Sequence, residues 1–296
     1  MNLLRETGPQ TGWQLLEKTR MEALPLWQMC RQAAELRIAC VGKRFLRLDR
    51  NVEGYARLSP SIRREFLTYT VLGLENQAAE IEAKAQGLKQ EIREISRAKF
   101  DLAREAMDDT VRSLPEWKSV QQQICFIIAG DISYGMAHAV PRPEVSTGRM
   151  VRGSDLDIVV IAEDSVDRMA LKALDDAILK KKYFLIVHPD YQEEIDYLVK
   201  NISRVRQQLA FDTFPHMVAS KIIHEGAFLY GSAGVFEAVK SMVGEFGVPA
   251  KLALLEEHAG EERREAESSL LQTDAGQPDG TFLHLFHTHE ESEEIY

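Results

Sequence analysis

Two short apolar runs in the middle of the chain limit what it can fold into. Residues 124–129 read Ile-Cys-Phe-Ile-Ile-Ala, and residues 156–162 read Leu-Asp-Ile-Val-Val-Ile-Ala. Both runs are rich in β-branched residues, and both fall far short of the roughly 20 residues that a membrane-spanning helix needs. A continuous apolar run of this length predicts a strand that is buried on both faces. We therefore expect a buried sheet near the centre of the chain and no membrane segment.

Composition places the chain among ordinary globular proteins. Its 296 residues are 45% hydrophobic and 28% charged, and at roughly 150 residues per domain this length predicts about two domains. Three cysteines without a CxxC pair cannot form a disulfide framework, which favours a reducing compartment. The first ten residues contain no basic patch followed by an apolar stretch, so we predict no signal peptide and a cytoplasmic location.

Changes in residue composition and hydrophobic spacing along the chain predict an α+β protein in three parts. We expect an N-terminal helical region over 1–115, a small mixed-sheet domain over 116–232, and C-terminal helices with an acidic tail over 233–296. In the last part, the predicted helices cover 233–246 and 250–270.

The first 115 residues are expected to be helical. Trp13–Ile38 has apolar residues at helix-like intervals, and Ser59 followed by Pro60 is a typical helix start. From there to Ser113 an apolar stripe recurs at spacings of 3, 4 and 7, with Gly73 and Gly87 as candidate breaks. A helical bundle or hairpin is the simpler interpretation. A coiled-coil dimer is the alternative, so a homo-oligomer formed through these helices is a possible partner.

The second half mixes strands and helices. After the two apolar runs we predict a helix over Ser165–Leu179, then strands over Tyr183–Val187 and Glu194–Val199 that could form a hairpin. Ser203–Gly226 is predicted to be helical with an interruption at Pro215.

The segment that points to chemistry surrounds the two apolar runs. Gly130-Asp-Ile-Ser-Tyr-Gly135 follows the first run, and Gly153-Ser-Asp-Leu-Asp leads into the second. Because strand residues i and i+2 share a face, Asp155 and Asp157 point the same way. Two carboxylates at the edge of an apolar strand repel each other unless a cation lies between them, and hard oxygen ligands suit Mg²⁺. A glycine turn beside them lets a polyphosphate approach backbone N–H groups.

This arrangement resembles the DNA polymerase β-like nucleotidyltransferase superfamily, in the style of its small bacterial "minor" members. The resemblance covers about residues 116–232 and includes the later phrase Lys221-Ile-Ile-His-Glu-Gly226-Ala-Phe-Leu-Tyr230. It implies transfer of a nucleoside monophosphate from a nucleoside triphosphate, with ATP the first choice, to a hydroxyl, with release of pyrophosphate and use of Mg²⁺ or Mn²⁺. It implies that the catalytic and metal-binding residues are Asp155, Asp157 and Asp196. The implied nucleotide-binding residues are Gly130, Asp131, Ser133, Gly135, Ser154 and Lys221. Glu194 is a second candidate for the third acid, but apolar neighbours on both sides favour Asp196.

Two departures from the family pattern bear on activity. Asp131 stands where the family usually has serine, and an acidic group there should repel a polyphosphate unless Ser133 supplies the hydroxyl or a cation compensates. The gap between Gly130 and Asp155 is also longer than usual, and the excess maps to Ala139–Val151. Arginines on or beside this insertion could meet the phosphates; they are Arg142, Arg149 and Arg152.

The acceptor is left open by the sequence. Residues 31–64 hold nine Lys or Arg against three Asp or Glu, which mildly favours an RNA 3′ end, whereas the net charge of −10 mildly disfavours it. A protein side-chain hydroxyl and a small molecule are the other candidate acceptors. The alternative function is a catalytically silent module that binds a nucleotide or a partner, for which Asp131 is the main support. A helical scaffold with an incidental Asp-x-Asp is the third interpretation.

Overall fold

The computed structural model of the protein describes residues 2–272 and 282–288. Its helices are, in chain order, α1 (Asn2–Thr7), α2 (Gly12–Thr19), α3 (Ala23–Gln32), α4 (Ile62–Thr68), α5 (Ala78–Arg112), α6 (Trp117–Val120), α7 (Gly130–Tyr134), α8 (Arg168–Val187), α9 (Ile202–Gln208), α10 (Phe214–Glu225), α11 (Ala233–Glu245), α12 (Val248–Gln272) and α13 (Leu283–Phe286). Its strands are β1 (Gln10–Thr11), β2 (Leu36–Cys40), β3 (Phe45–Leu48), β4 (Ala56–Ser59), β5 (Thr70–Leu74), β6 (Ile124–Ile128), β7 (Pro141–Pro143), β8 (Met150–Arg152), β9 (Leu156–Ala162), β10 (Ile195–Asn201) and β11 (Ala227–Gly231). The predicted α+β class, with helices at both ends and small mixed sheets, is confirmed.

The chain divides into two compact units. The terminal unit combines the described residues up to Ile92 with those from Ala253 onward, and the central unit is Arg93–Leu252. The boundaries predicted from the sequence lie at 115 and 232 instead. The divisions differ because the long helices α5 and α12 each run through a change of unit, and no turn or glycine cluster marks the point.

The terminal unit is built around a three-stranded antiparallel sheet in the order β1-β5-β2, with β3 and β4 forming a separate antiparallel pair. Leu26, Leu67 and Leu72 form its core together with Leu270 of α12 and Phe286 of α13. The side chain of Arg263 on α12 is also buried and donates to Pro60 O at 2.9 Å and to Glu267 Oε1 at 2.7 Å. The first and last parts of the chain therefore share one core.

The prediction that residues 1–115 are helical throughout is wrong for five short segments, which are the strands β1 to β5. Ser59 ends β4 and does not start a helix; α4 is capped instead by Ser61, whose Oγ accepts from Arg64 N at 3.1 Å. Every residue of β5 is buried, and β5 pairs on both edges, so tertiary burial overrides the helical spacing around it. The helical stripe itself is confirmed from Ala78 onward in α5, which runs through Gly87 without a break.

The central unit contains a four-stranded sheet in the order β10-β9-β6-β11, in which β9 and β10 are parallel and the other neighbours antiparallel. Both predicted buried strands are present, as β6 and β9. Phe126, Ile158 and Val160 belong to a core that also contains Met107 of α5 and Ile178 of α8. Because side chains alternate along a strand, Asp157 lies on the opposite face of the sheet.

Two predictions between β9 and α10 need correction. Tyr183–Val187 is not a strand but the end of α8, which starts after the Asp167 N-cap and continues for 20 residues, so β10 returns parallel to β9 and forms no hairpin. The predicted interruption near Pro215 is confirmed, since α9 ends at Gln208 and Pro215 lies in the first turn of α10.

The predicted C-terminal helices are present as α11 and α12. The acidic tail of the 233–296 prediction falls largely beyond residue 288 and lies outside the described residues. The insertion at 139–151 forms the short antiparallel pair β7–β8, in which Arg142 is the register partner of Val151.

Candidate functional site

The strand register places two of the predicted acids side by side. In the parallel pair β9–β10, Asp157 is the register partner of Asp196, so both side chains leave the sheet on the same face. Asp157 is half-buried and Asp196 is exposed. Asp155 precedes β9 by one residue and is also half-buried.

Gly130 lies directly against the Asp157 carboxylate. Its φ is +66°, in the left-handed region, and a Cβ built on it would lie 2.1 Å from Asp157 Oδ2. The preceding residue, Ala129, donates its N–H to Asp157 O at 2.9 Å. Only glycine fits both the backbone angle and the space, so this glycine turn and this aspartate form one local unit.

Asp155 has a different partner. Arg142 of β7 contacts Asp155 Oδ1 through Nη2, and the same nitrogen donates to Glu194 Oε2 at 2.9 Å. Its Nε donates to Gly153 O at 3.1 Å. From the sequence, Arg142 is expected near phosphates and Glu194 is a lesser candidate for the third acid. In the structure they form an ion-pair cluster with Asp155.

The predicted ligands are carboxylates, which suit a divalent metal, but the structure does not bring three of them close together. Within residues 2–272 and 282–288, no group of three His, Cys, Asp or Glu side chains is close enough to hold a metal ion. Asp157 and Asp196 offer hard carboxylate oxygens from adjacent register positions, which is the chemistry that Mg²⁺ and Mn²⁺ prefer. Asp155, the remaining predicted ligand, is instead paired with Arg142 through Oδ1.

The glycine turn holds the next group of predicted residues. Ser154 Oγ donates to Asp131 Oδ2 at 3.0 Å and accepts from His138 N at 3.2 Å. Ser133 Oγ donates to Gly130 O at 2.8 Å inside α7, and Gly135, which follows this helix, has a φ of +67°. Asp131 and Ser154 are thus brought together, while the Ser133 hydroxyl serves the turn itself.

Lys221 reaches the same turn through Glu225, a residue that the sequence pattern does not single out. Lys221 Nζ contacts Glu225 Oε2, which also accepts from Tyr134 OH at 2.6 Å, and Gly130 N lies 3.4 Å from Glu225 Oε1. The ammonium lies 5.5 Å from the centre of the Tyr134 ring. The sequence signals for this network are the i, i+4 spacing of lysine and glutamate in α10 and the phrase at 221–230, which contains both residues. The network ties the predicted lysine to the glycine turn.

A buried ion pair between Lys99 and Glu193 lies next to this cluster. Lys99 Nζ of α5 lies 2.5 Å from Glu193 Oε2 and donates to Arg152 O at 2.6 Å. Burial lowers the pKa of Lys99 and raises the pKa of Glu193, and the attraction between the two groups opposes both shifts. Glu193 precedes Glu194, so this pair fixes the start of β10 against the end of β8.

A cleft of about 570 Å³ lies away from these residues. Trp117 and Tyr230 line it with Arg104 and Asp108, and Tyr230 OH donates to Asp108 Oδ1 at 2.9 Å. Its lining includes Gly231, which pairs with Cys125 near the start of β6, whereas the glycine turn follows the other end of β6. No predicted site residue lines it.

Comparison with known proteins adds no relative: no family model, no curated protein and no solved structure matches the chain. Among the described helices, none has the length and apolar character needed to cross a membrane. The function is therefore argued from the geometry above.

Proposed function

We propose that the protein is a metal-dependent nucleotidyltransferase that moves a nucleoside monophosphate from a nucleoside triphosphate, ATP first, to a hydroxyl and releases pyrophosphate. The observation that carries the proposal is the in-register pair Asp157 and Asp196 beside the left-handed Gly130. The resemblance of the Gly130 and Asp155 motifs to polymerase β-like nucleotidyltransferases points to the same chemistry.

Asp155, Asp157 and Asp196 would hold Mg²⁺ or Mn²⁺, which when bound stabilises charge on the entering and leaving oxygens. Asp196, whose carboxylate is exposed, would take part in one metal site and help to lower the pKa of the acceptor hydroxyl. Backbone N–H groups of the left-handed turn at Gly130 would bind the phosphates, and the Lys221 ammonium would add positive charge there. Asp131 is turned to the Ser154 hydroxyl, which accounts for how an acid is tolerated in this turn.

Two acceptor classes follow from the proposal, an RNA 3′ end and a protein side-chain hydroxyl. The basic stretch 31–64 favours RNA less strongly than its charge suggests. Arg44 is paired with Glu65 at 2.6 Å, and Arg57 with Asp49 at 2.9 Å, so part of its positive charge is neutralised within the terminal unit. The cysteines Cys30, Cys40 and Cys125 are free, which supports a reducing, cytoplasmic compartment as part of the proposal.

One observation favours the alternative of a silent nucleotide-binding module. The Arg142 guanidinium already neutralises Asp155, and Asp131 adds negative charge to the turn that would receive phosphates. A protein that binds a nucleotide without transferring it would tolerate both features.

The test is transfer of label from each α-³²P nucleoside triphosphate by the full chain, with Mg²⁺ or Mn²⁺ and with RNA, protein or no acceptor. We expect Asp157→Asn and Asp196→Asn each to lower transfer by about 10²–10³-fold, because charge stabilisation at the reacting phosphate is lost. Asp176→Asn is the matched control, since Asp176 forms an exposed i, i+4 pair with Lys172 on α8.

The labelled product identifies the acceptor class. Absence of label with every nucleotide, together with metal-dependent ATP binding in a calorimeter, would move the assignment to the silent module. Absence of both would overturn nucleotide chemistry at this site.

A further inference from the structure

Arg142 is the cation that contacts Asp155, the first of the three predicted metal ligands. One nitrogen of its guanidinium bridges Asp155 and Glu194, and its Nε is fixed by Gly153 O. The Arg142 side chain is only 14% exposed. The chain itself therefore provides a positive charge at the first predicted metal ligand.

The β7–β8 hairpin, which carries Arg142, is stabilised by several hydrogen bonds in its turn. In the turn between β7 and β8, the Glu144 carboxylate accepts from the backbone N–H and the hydroxyl of both Ser146 and Thr147, at 2.6 to 2.9 Å. Glu144 N also donates to Arg149 O at 2.7 Å. The guanidinium is thus held in place by an ordered arm and by its own three contacts.

If Arg142 moved away, the Glu194 carboxylate would still have a cation nearby. Lys182 Nζ lies 3.8 Å from Glu194 Oε1, so Glu194 keeps a cationic neighbour when the arginine moves. Asp155, in contrast, has Arg142 as its cation and would need a replacement charge, because an unpaired half-buried carboxylate is costly. A divalent ion is such a replacement.

We infer that Arg142 is an internal cation that competes with the divalent metal for Asp155, and that a metal–nucleoside triphosphate complex displaces it by exchanging partners. The metal takes Asp155, and the phosphates take the guanidinium, which pairs readily with phosphate oxygens. The inference rests on the proposed function for its substrate. It makes metal binding and nucleotide binding depend on each other, with Arg142 as the positioning residue between them.

The test compares Arg142→Gln with wild type in two titrations of the full chain. The first follows Mn²⁺ alone by its electron paramagnetic resonance signal; the second follows Mn²⁺ with the non-cleavable α,β-methylene analogue of ATP by calorimetry. Removing the competing charge should tighten Mn²⁺ binding about tenfold, since an adjacent opposite charge is worth one or more logarithmic units at a carboxylate. The same change should weaken binding of the metal–nucleotide complex about tenfold, because a phosphate partner is lost.

The matched control is Arg168→Gln. Arg168 is the first residue of α8, lies in the same unit and is exposed. This variant removes the same charge and should leave both affinities within about twofold of wild type, as expected for a solvent-screened surface charge. Arg142→Lys keeps a cation without the bridging geometry and should fall between wild type and Arg142→Gln; it also carries the test if Arg142→Gln fails to fold.

Opposite shifts of the two affinities support the inference, since a general loss of structure would weaken both. Unchanged or undetectable Mn²⁺ binding in Arg142→Gln would overturn it, as would two affinities that move in the same direction. The Mn²⁺ titration needs no transfer step. An inactive protein with the expected Mn²⁺ shift would therefore contradict the proposed function alone, and an active protein without the shift would contradict this inference alone.

Discussion

Gly130 shows how much a single residue decides at this site. Its left-handed φ of +66° and its contact with Asp157 leave no room for a side chain. Gly148, in the β7–β8 turn, has the same φ of +66°, but no atom lies within 4 Å of the point that its Cβ would occupy. Comparing substitutions at the two glycines therefore separates the free-energy cost of backbone strain from the cost of crowding the Asp157 carboxylate.

We expect Gly148→Ala to lower the free energy of unfolding by about 1 kcal/mol, the cost of a Cβ in the left-handed region. Gly130→Ala should cost about 1–3 kcal/mol more, because the added methyl group displaces Asp157. Urea denaturation measures both, and metal-dependent ATP binding should be lost in Gly130→Ala only. Equal costs in the two variants would show that the approach of Gly130 to Asp157 is not limiting.

At the scale of elements, α5 is tied to the β8–β10 region by Lys99 and Glu193. Their side chains are 5% and 10% exposed. Burial lowers the pKa of the lysine and raises that of the carboxyl, and the attraction between the two groups opposes both shifts. Removing one partner leaves a buried charge without compensation.

Lys99→Met and Glu193→Met should each lower the free energy of unfolding by about 3–5 kcal/mol, whereas the double variant should recover most of that loss. A double-mutant cycle in urea measures the coupling. The exposed pair Lys172 and Asp176 is the comparison, and its coupling should be below about 1 kcal/mol. Additive losses for Lys99 and Glu193 would contradict this mutual dependence.

Elements differ in how well the sequence predicts them. β6 and β9 are predictable because an uninterrupted apolar run suits a strand covered on both faces. β2 is not, because Arg37 interrupts a short segment that also fits helical spacing. At the site, Asp157 and Asp196 follow from local pattern and resemblance, but the Arg142–Asp155 and Lys221–Glu225–Tyr134 contacts depend on tertiary placement that no local pattern encodes.

At the scale of the whole molecule, the terminal unit joins segments that are far apart in sequence. Gln28 Nε2 donates to Leu270 O at 2.6 Å across a separation of 242 residues, and Leu270 itself is 1% exposed in the core with Leu26 and Trp27. Stability of the first 74 residues should therefore depend on α12.

Leu270→Ala should destabilise the terminal unit by about 2–5 kcal/mol, the usual cost of emptying a buried leucine site. Hydrogen exchange followed by mass spectrometry should show faster exchange in α3, α4 and β5, with β6 and β9 of the central unit unchanged. Leu254→Ala on the same helix is the control, because Leu254 is 69% exposed. Equal loss of protection in both units would show that they unfold together.

The shared core of the two chain ends also sets an order of events during synthesis on the ribosome. Every residue of the central unit is made before α12 and α13 are complete, whereas the N-terminal segment waits with the apolar side chains of Leu26, Leu67 and Leu72 until its C-terminal partners emerge. The central unit, which carries the candidate site, can therefore fold first, and the residues up to Ile92 are enclosed after it although they are made before it. In this interval the nascent N-terminal segment exposes apolar side chains that a chaperone can bind.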